Sequence, residues 1–323
     1  MSKRKQTIKQ NQISELYTFH LKNVPQKVLI EGRTPNLPVV ITLHGGPASP
    51  IPFGVWARGF FPELTDKFIM VYWDQPGCGI NNYDLKNNCH INYFVEMTSE
   101  LIKEIRKLFP NNKIMLWGVS WGTVLSLKVL KTESKNIHAV INYGQVLNNL
   151  FLSPAVFEDL RASKISPRKL DKIKNVTSDN FCSKDLELIS KYLHKYTEAY
   201  VCKTGRQVSY FSLIKGILTS PDYKFKDFKA AFINKTSKNM SFWSEILNIN
   251  LTSELNEVST PYYILQGSTD IVTSTYEIEK VIKASNNPNL HLDIIKNSGH
   301  IPNIDGMDKT LETLEKAASK EAI

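Results

Sequence analysis

The sequence predicts an α/β fold: a mostly parallel sheet with helices on both faces and a helical segment inserted between two of its strands. Three observations predict it. Short apolar runs alternate with helical patterns over residues 15–147 and again over 258–323, the pattern of parallel strands joined by crossover helices. Between them, residues 148–257 show helical periodicity and no buried strand, a stretch of domain size. Finally, Gly118-Val119-Ser120-Trp121-Gly122 stands between an apolar strand and a helix, a turn so tight that only small flanking residues leave room for it.

The elements follow in order. Residues 1–14 are basic and then polar, and are expected to be mobile. Strands are expected near Glu15–Lys22 and Gln26–Glu31. Val39–Leu43 is apolar but for Thr42, the composition of a strand buried on both faces, and runs into His44-Gly45-Gly46-Pro47. Phe68–Trp73 is a second such strand and runs into Asp74-Gln75-Pro76-Gly77-Cys78-Gly79. Phe94, Met97, Leu101, Ile102, Ile105 and Leu108 share one face of a helix over Asn92–Phe109, which Pro110 ends. The strand Lys113–Trp117, the Gly-rich turn and a helix from Thr123 come next, then a strand over His138–Tyr143. Within 148–257, helices are expected over Asp185–Tyr200 and Ser241–Ile249. The sheet resumes with Tyr262–Leu265, a helix over Thr275–Ala284, a strand over Leu290–Ile295 and a last helix over Met307–Ala318.

Composition narrows the class. Of 323 residues, 42% are apolar and 22% charged, which suits an ordinary globular chain. No apolar run approaches the ~18 residues of a membrane span, so no membrane partner is expected. The net charge is +9, but the lysines are scattered and no nucleic-acid motif accompanies them, so no nucleic-acid partner is expected either. The N-terminus lacks the apolar core of an export signal, and the expected location is the cytoplasm. Cys78, Cys89, Cys182 and Cys202 form no C-x-x-C pair and read as reduced thiols, with a Cys78–Cys89 bridge left open. Oligomeric state leaves no trace in the sequence.

A serine hydroxyl needs a base within reach, and the base needs a group to fix its tautomer. In open α/β sheets such groups gather beyond the carboxyl ends of the strands. Asp270 and His300 both follow strands, and the order Ser120, Asp270, His300 is that of the triad of a G-x-S-x-G nucleophile elbow. Asp270 also stands where it would cap the following helix. Backbone N–H groups stabilise an oxyanion because they are fixed before charge develops. Trp121, next after the serine, supplies one; Gly45, with Gly46 as the second choice, supplies the other. His44 is expected to brace this loop. The reaction needs no metal or cofactor.

His44-Gly45-Gly46-Pro47, Tyr72-Trp73-Asp74-Gln75 and Gly118-Val119-Ser120-Trp121-Gly122-Thr123 together resemble the proline iminopeptidase group of α/β-hydrolase-fold serine hydrolases. The resemblance covers most of the chain. It implies the α/β-hydrolase fold, a helical cap formed by residues 148–257, Ser120, Asp270 and His300 as triad, and Gly45 and Trp121 as oxyanion donors. The chain departs from the group at Ala48, Pro76 and Val119, which leaves the triad intact and loosens the inference of specificity.

Three functions are open at this point. The first is hydrolysis of a carboxylic ester, lactone or related acyl bond of a hydrophobic small molecule. The second is removal of an N-terminal residue from a short peptide. The third is binding without catalysis on a hydrolase scaffold. An aminopeptidase of this group uses cap glutamates to hold the substrate ammonium; Glu158, Glu187, Glu198 and Glu245 are the candidates here, the first, third and last foremost. The segment 148–257 holds 17 Lys and Arg against 12 Asp and Glu, a balance that disfavours an ammonium site. Its aromatics, among them Phe151, Tyr200, Tyr210 and Trp243, favour an apolar pocket.

Overall fold

A computed structural model describes residues 8–50, 61, 63–207, 209, 211 and 222–320. Residues 1–7 of the basic N-terminus, and Tyr210, lie outside the described residues. Eight strands form one sheet: β1 (Ile13–Leu21), β2 (Val24–Gly32), β3 (Val39–Leu43), β4 (Ile69–Trp73), β5 (Ile114–Val119), β6 (Ala139–Tyr143), β7 (Tyr262–Gly267) and β8 (Leu290–Ile295). Their order is β1-β2-β4-β3-β5-β6-β7-β8. β1 and β2 form an antiparallel hairpin, β2 meets β4 antiparallel, and the remaining pairs are parallel.

The chain enters the sheet two residues earlier than the sequence suggested. Ile13 and Ser14 pair with Gly32 and Glu31, and the Ser14 hydroxyl donates to the Glu31 carboxylate at 2.7 Å. The expected mobile stretch to residue 14 therefore overlaps the first strand.

The central strands are apolar because both faces are covered. Val39, Ile41, Leu116 and Val140 belong to the core of one face, with Phe94, Met97, Leu101, Ile102 and Ile105 of helix α1 (Ile91–Leu108). Val40, Met70, Met115 and Ile141 belong to the other, with Met307, Leu314 and Ala317 of the last helix. Helix α2 (Trp121–Glu133) is buried almost all round. It packs between α1, the sheet and the segment that follows β6.

Among the described residues, the segment between β6 and β7 contains no strand. Its longer helices are α3 (Pro154–Ala162), α4 (Ser183–Tyr196), α5 (Phe225–Phe232) and α6 (Met240–Leu247). Phe242 of α6 stacks on Phe94 of α1 at 5.0 Å and meets the edge of Trp121 at 5.1 Å, joining the segment to the core beneath the Gly-rich turn. Helices α7 (Thr275–Ala284) and α8 (Ile304–Ser319) complete the chain. No helix among the described residues is long and apolar enough to cross a membrane. All four cysteines are free thiols, so the Cys78–Cys89 bridge is not formed.

Candidate active site

β4, β3, β5 and β6 lie side by side, with Leu43 paired to both Trp73 and Gly118 and Val119 to Tyr143. The loops that leave their carboxyl ends therefore converge. Ser120, between β5 and α2, has φ 51° and ψ −118°, a left-handed backbone that a non-glycine residue holds only when its surroundings impose it. The imposition is visible. A Cβ at Gly122 would lie 1.9 Å from the Leu43 carbonyl oxygen, and one at Gly118 2.5 Å from the Asn142 side-chain oxygen. The two glycines let α2 start directly against β3, and the Ser120 N–H donates to the Tyr143 carbonyl at 2.9 Å.

His300 lies five residues beyond β8 and Asp270 three beyond β7. His300 Nε2 is 2.9 Å from Ser120 Oγ, and His300 Nδ1 is 2.9 Å from Asp270 Oδ2. All three side chains are buried. Asp270 accepts from the Val272 and Thr273 N–H groups at 2.8 and 3.0 Å, from the Thr273 hydroxyl at 2.7 Å and from Gln266 Nε2 at 3.2 Å. A carboxylate only accepts, so the ring donates through Nδ1–H and leaves Nε2 free to accept the serine proton. Gly144, at φ 65°, gives the imidazole its space: a Cβ there would lie 3.2 Å from Nδ1. Gly144 went unnoticed in the sequence because the ring it makes room for, His300, comes from beyond another strand; Thr273 and Gln266 lie three and four residues from Asp270 and went unnoticed although their partner is local.

His44 braces its loop, as the sequence suggested. Its Nε2 accepts from the Gln75 N–H at 2.9 Å, which puts the proton on Nδ1, 2.8 Å from the Gly45 carbonyl. Loss of solvent lowers the pKa of this half-buried ring to about 4, so it is neutral near pH 7. Gly45 lies against Ser120: a Cβ there would meet Ser120 Cβ at 3.2 Å and the Val119 carbonyl at 3.1 Å. Gly46 takes φ 126°, open only to glycine.

Above Ser120 lies a cavity of about 610 Å³. Its lining is mainly apolar, with Tyr72, Trp117 and Val119 from the sheet and Phe151, Leu186, Tyr200 and Trp243 from the segment after β6. Tyr200 sets its ring edge against His300 at 5.9 Å and stacks on His194 at 3.9 Å. Glu158, Glu198 and Glu245 do not line it. Glu158 is exposed on α3. Glu198 accepts from the Cys202 thiol at 3.1 Å and the Lys203 N–H at 3.0 Å. Glu245 accepts from the Ile91 N–H at 2.9 Å, satisfying the open N-terminus of α1. Of these three candidates, Glu198 is held by the nearby Cys202 and Lys203, Glu245 by the distant N-terminus of α1, and Glu158 faces solvent. Glu187 of α4 does line the cavity, the one carboxylate among the described lining residues.

Comparison with known proteins agrees with this fold. The family model of the alpha/beta hydrolase fold matches residues 38–307. The probable aminopeptidase YbaC of Bacillus subtilis (strain 168) is 23% identical over 314 residues, covering 95% of this chain and 96% of that protein. The proline iminopeptidase of Neisseria gonorrhoeae is 31% identical over 145 residues, 44% of this chain and 39% of that protein. The crystal structure of a proline iminopeptidase-related protein from Thermus thermophilus superposes with a TM-score of 0.63 at 17% identity, covering 94% of this chain and 96% of that one.

Proposed function

Because this chain belongs to the α/β hydrolase fold family, we propose that it cleaves a carboxylic ester, lactone or related acyl bond of a hydrophobic small molecule through an acyl-enzyme on Ser120. The chain is an enzyme of the serine hydrolase type; the triad and the substrate class are the proposal. The observation that carries it is the hydrogen-bonded series Ser120–His300–Asp270 at the floor of a mainly apolar cavity.

In the proposed reaction the Ser120 oxygen attacks the acyl carbonyl while His300 Nε2 takes its proton. The N–H groups of Gly45 and Trp121 receive the oxyanion, with Gly46 beside them. His300 then protonates the leaving group, and the acyl-enzyme forms as the bond to that group breaks. Water, deprotonated by His300, releases the acid. Asp270 holds the ring and stabilises its cationic form. Residues 148–257 serve as the cap that closes the cavity from above.

One observation favours a second reading. Glu187 lines the cavity, and a relative aligned over most of both chains is named a probable aminopeptidase; a single carboxylate there would hold a substrate ammonium. Parallel assays separate the two. Turnover of p-nitrophenyl esters is expected to exceed that of amino-acid p-nitroanilides, and Glu187→Gln is expected to leave ester turnover within about twofold. Strong turnover of a free-amine anilide, lost on N-acetylation and in Glu187→Gln, with weak ester turnover, would reverse the assignment.

A further inference from the structure

Gln75 has no place in the reaction steps, yet it is fully buried where the two arms of the site meet. It follows β4 by two residues, in the loop beside the one that carries Gly45. Its side-chain Nε2 donates to the His44 carbonyl at 2.9 Å, and its Oε1 accepts from the Trp121 indole Nε1–H at 2.8 Å. Its backbone N–H donates to His44 Nε2, and its own carbonyl accepts from the Cys78 thiol at 3.1 Å.

The His44 carbonyl and the Gly45 N–H belong to one planar trans peptide, in which C=O and N–H point in opposite directions. Holding the oxygen from one side therefore aims the N–H to the other. The second contact acts on the opposite arm. Trp121 supplies the other N–H, and its indole is clamped between Phe94, Phe242 and the Gln75 oxygen. We propose that Gln75 is the positioning residue of the oxyanion site, one carboxamide that orients both backbone donors at once. The inference rests on the assignment of Gly45 and Trp121 as oxyanion donors. It explains why an amide stands here: a carboxamide donates to a carbonyl and accepts from an indole with one planar group that carries no charge at any pH. The neutral His44 ring completes the brace from the backbone side.

An oxyanion donor matters more to the transition state than to the bound substrate, which gives the proposal a signature that simple loss of packing lacks. Gln75→Glu keeps the shape but sets a carboxylate oxygen against the His44 carbonyl; Gln75→Met keeps the volume and drops both bonds. On a p-nitrophenyl ester, each folded variant is expected to lose about 10- to 100-fold in kcat, with KM within about threefold of the parent. Affinity for an aryl trifluoromethyl ketone, whose adduct places an oxyanion in the same site, is expected to fall by a similar factor. Should Gln75→Glu fail to fold, Gln75→Met carries the test. A folded variant with the parent's kcat, or one whose loss lies in KM with ketone affinity unchanged, would overturn the role of Gln75. Ser120→Ala is run alongside. If it hydrolyses the ester undiminished, the underlying reading of the site fails instead.

Discussion

At Ser120 the strained backbone, the neighbouring glycines and the hydrogen bond to His300 form one arrangement. The strain persists because Gly122 has no side chain to push α2 away from β3. Gly122→Ala places a carbon where the Leu43 carbonyl already stands, and overpacking of this kind costs about 1–3 kcal/mol or more. We expect a loss of at least about 2 kcal/mol in urea unfolding, together with a fall in hydrolysis; an unchanged unfolding midpoint would contradict the packing argument. At this scale the sequence was informative where chemistry repeats a local pattern. Ser120, Asp270 and His300 each follow a strand, and the structure brings His300 within hydrogen-bond distance of both of the others. It was silent where the partner is remote. Nothing near Glu187 or Glu198 tells which carboxylate faces the cavity, because that depends on where α4 lies. Gln75 reads as one residue of a loop until the loop after β3 and the helix after β5 are placed around it.

Elements were legible in kind more than in extent. The strand and helix types follow from periodicity, and α7 and β8 have the bounds their patterns suggested. The helix expected over Asp185–Tyr200 instead runs Ser183–Tyr196, and the shift has causes at both ends. Asp185 accepts from the Cys182 N–H at 3.0 Å, closing the N-terminus earlier. The chain leaves the helix at Thr197 so that the carbonyls of Ala199 and Tyr200 accept from the N–H groups of His300 and Ile301, at 2.7 and 3.0 Å. The end of α4 thus supports the loop that carries the proposed base, a contact between residues about a hundred apart that local periodicity does not encode. The Phe94–Trp121–Phe242 cluster links the same segment to the turn at Ser120 from below. Phe242→Ala is expected to cost about 3–5 kcal/mol and to reduce turnover by loosening Trp121. Denaturant unfolding tests the first effect, and a cost under about 1 kcal/mol would show that the cluster relaxes around the gap.

Across the molecule, parallel strands buried on both faces made the sheet legible, whereas its order β2-β4-β3-β5 rests on pairings that no apolar run reveals. One buried group ties the sheet to the segment after β6. Asp74, at the end of β4, accepts from the Tyr223 hydroxyl and from the Ile80 N–H. Burial pushes its pKa up to about 7; the Tyr223 and Ile80 bonds oppose that rise and the nearby Asp227 adds to it. A carboxyl whose pKa is raised on folding contributes stability that is fully present below about pH 4 and is lost as pH rises toward 7, because the unfolded chain ionises first. Asp74→Asn is expected to remove this slope, so that the parent's unfolding free energy changes relative to the variant's by roughly 3 kcal/mol between pH 4 and 7. Parallel stability curves for the two proteins would contradict it.

The central claim is that Ser120 carries the acyl group. Mixing the protein with excess p-nitrophenyl ester of a slowly hydrolysed acid and following the first turnover tests it directly. The account predicts a burst of about one nitrophenol per chain, an added acyl mass on the peptide containing Ser120, and loss of both in a folded Ser120→Ala variant, whose kcat falls by at least about 10⁴-fold. An acyl adduct elsewhere, or a Ser120→Ala variant that hydrolyses the ester at the parent's rate, would contradict it.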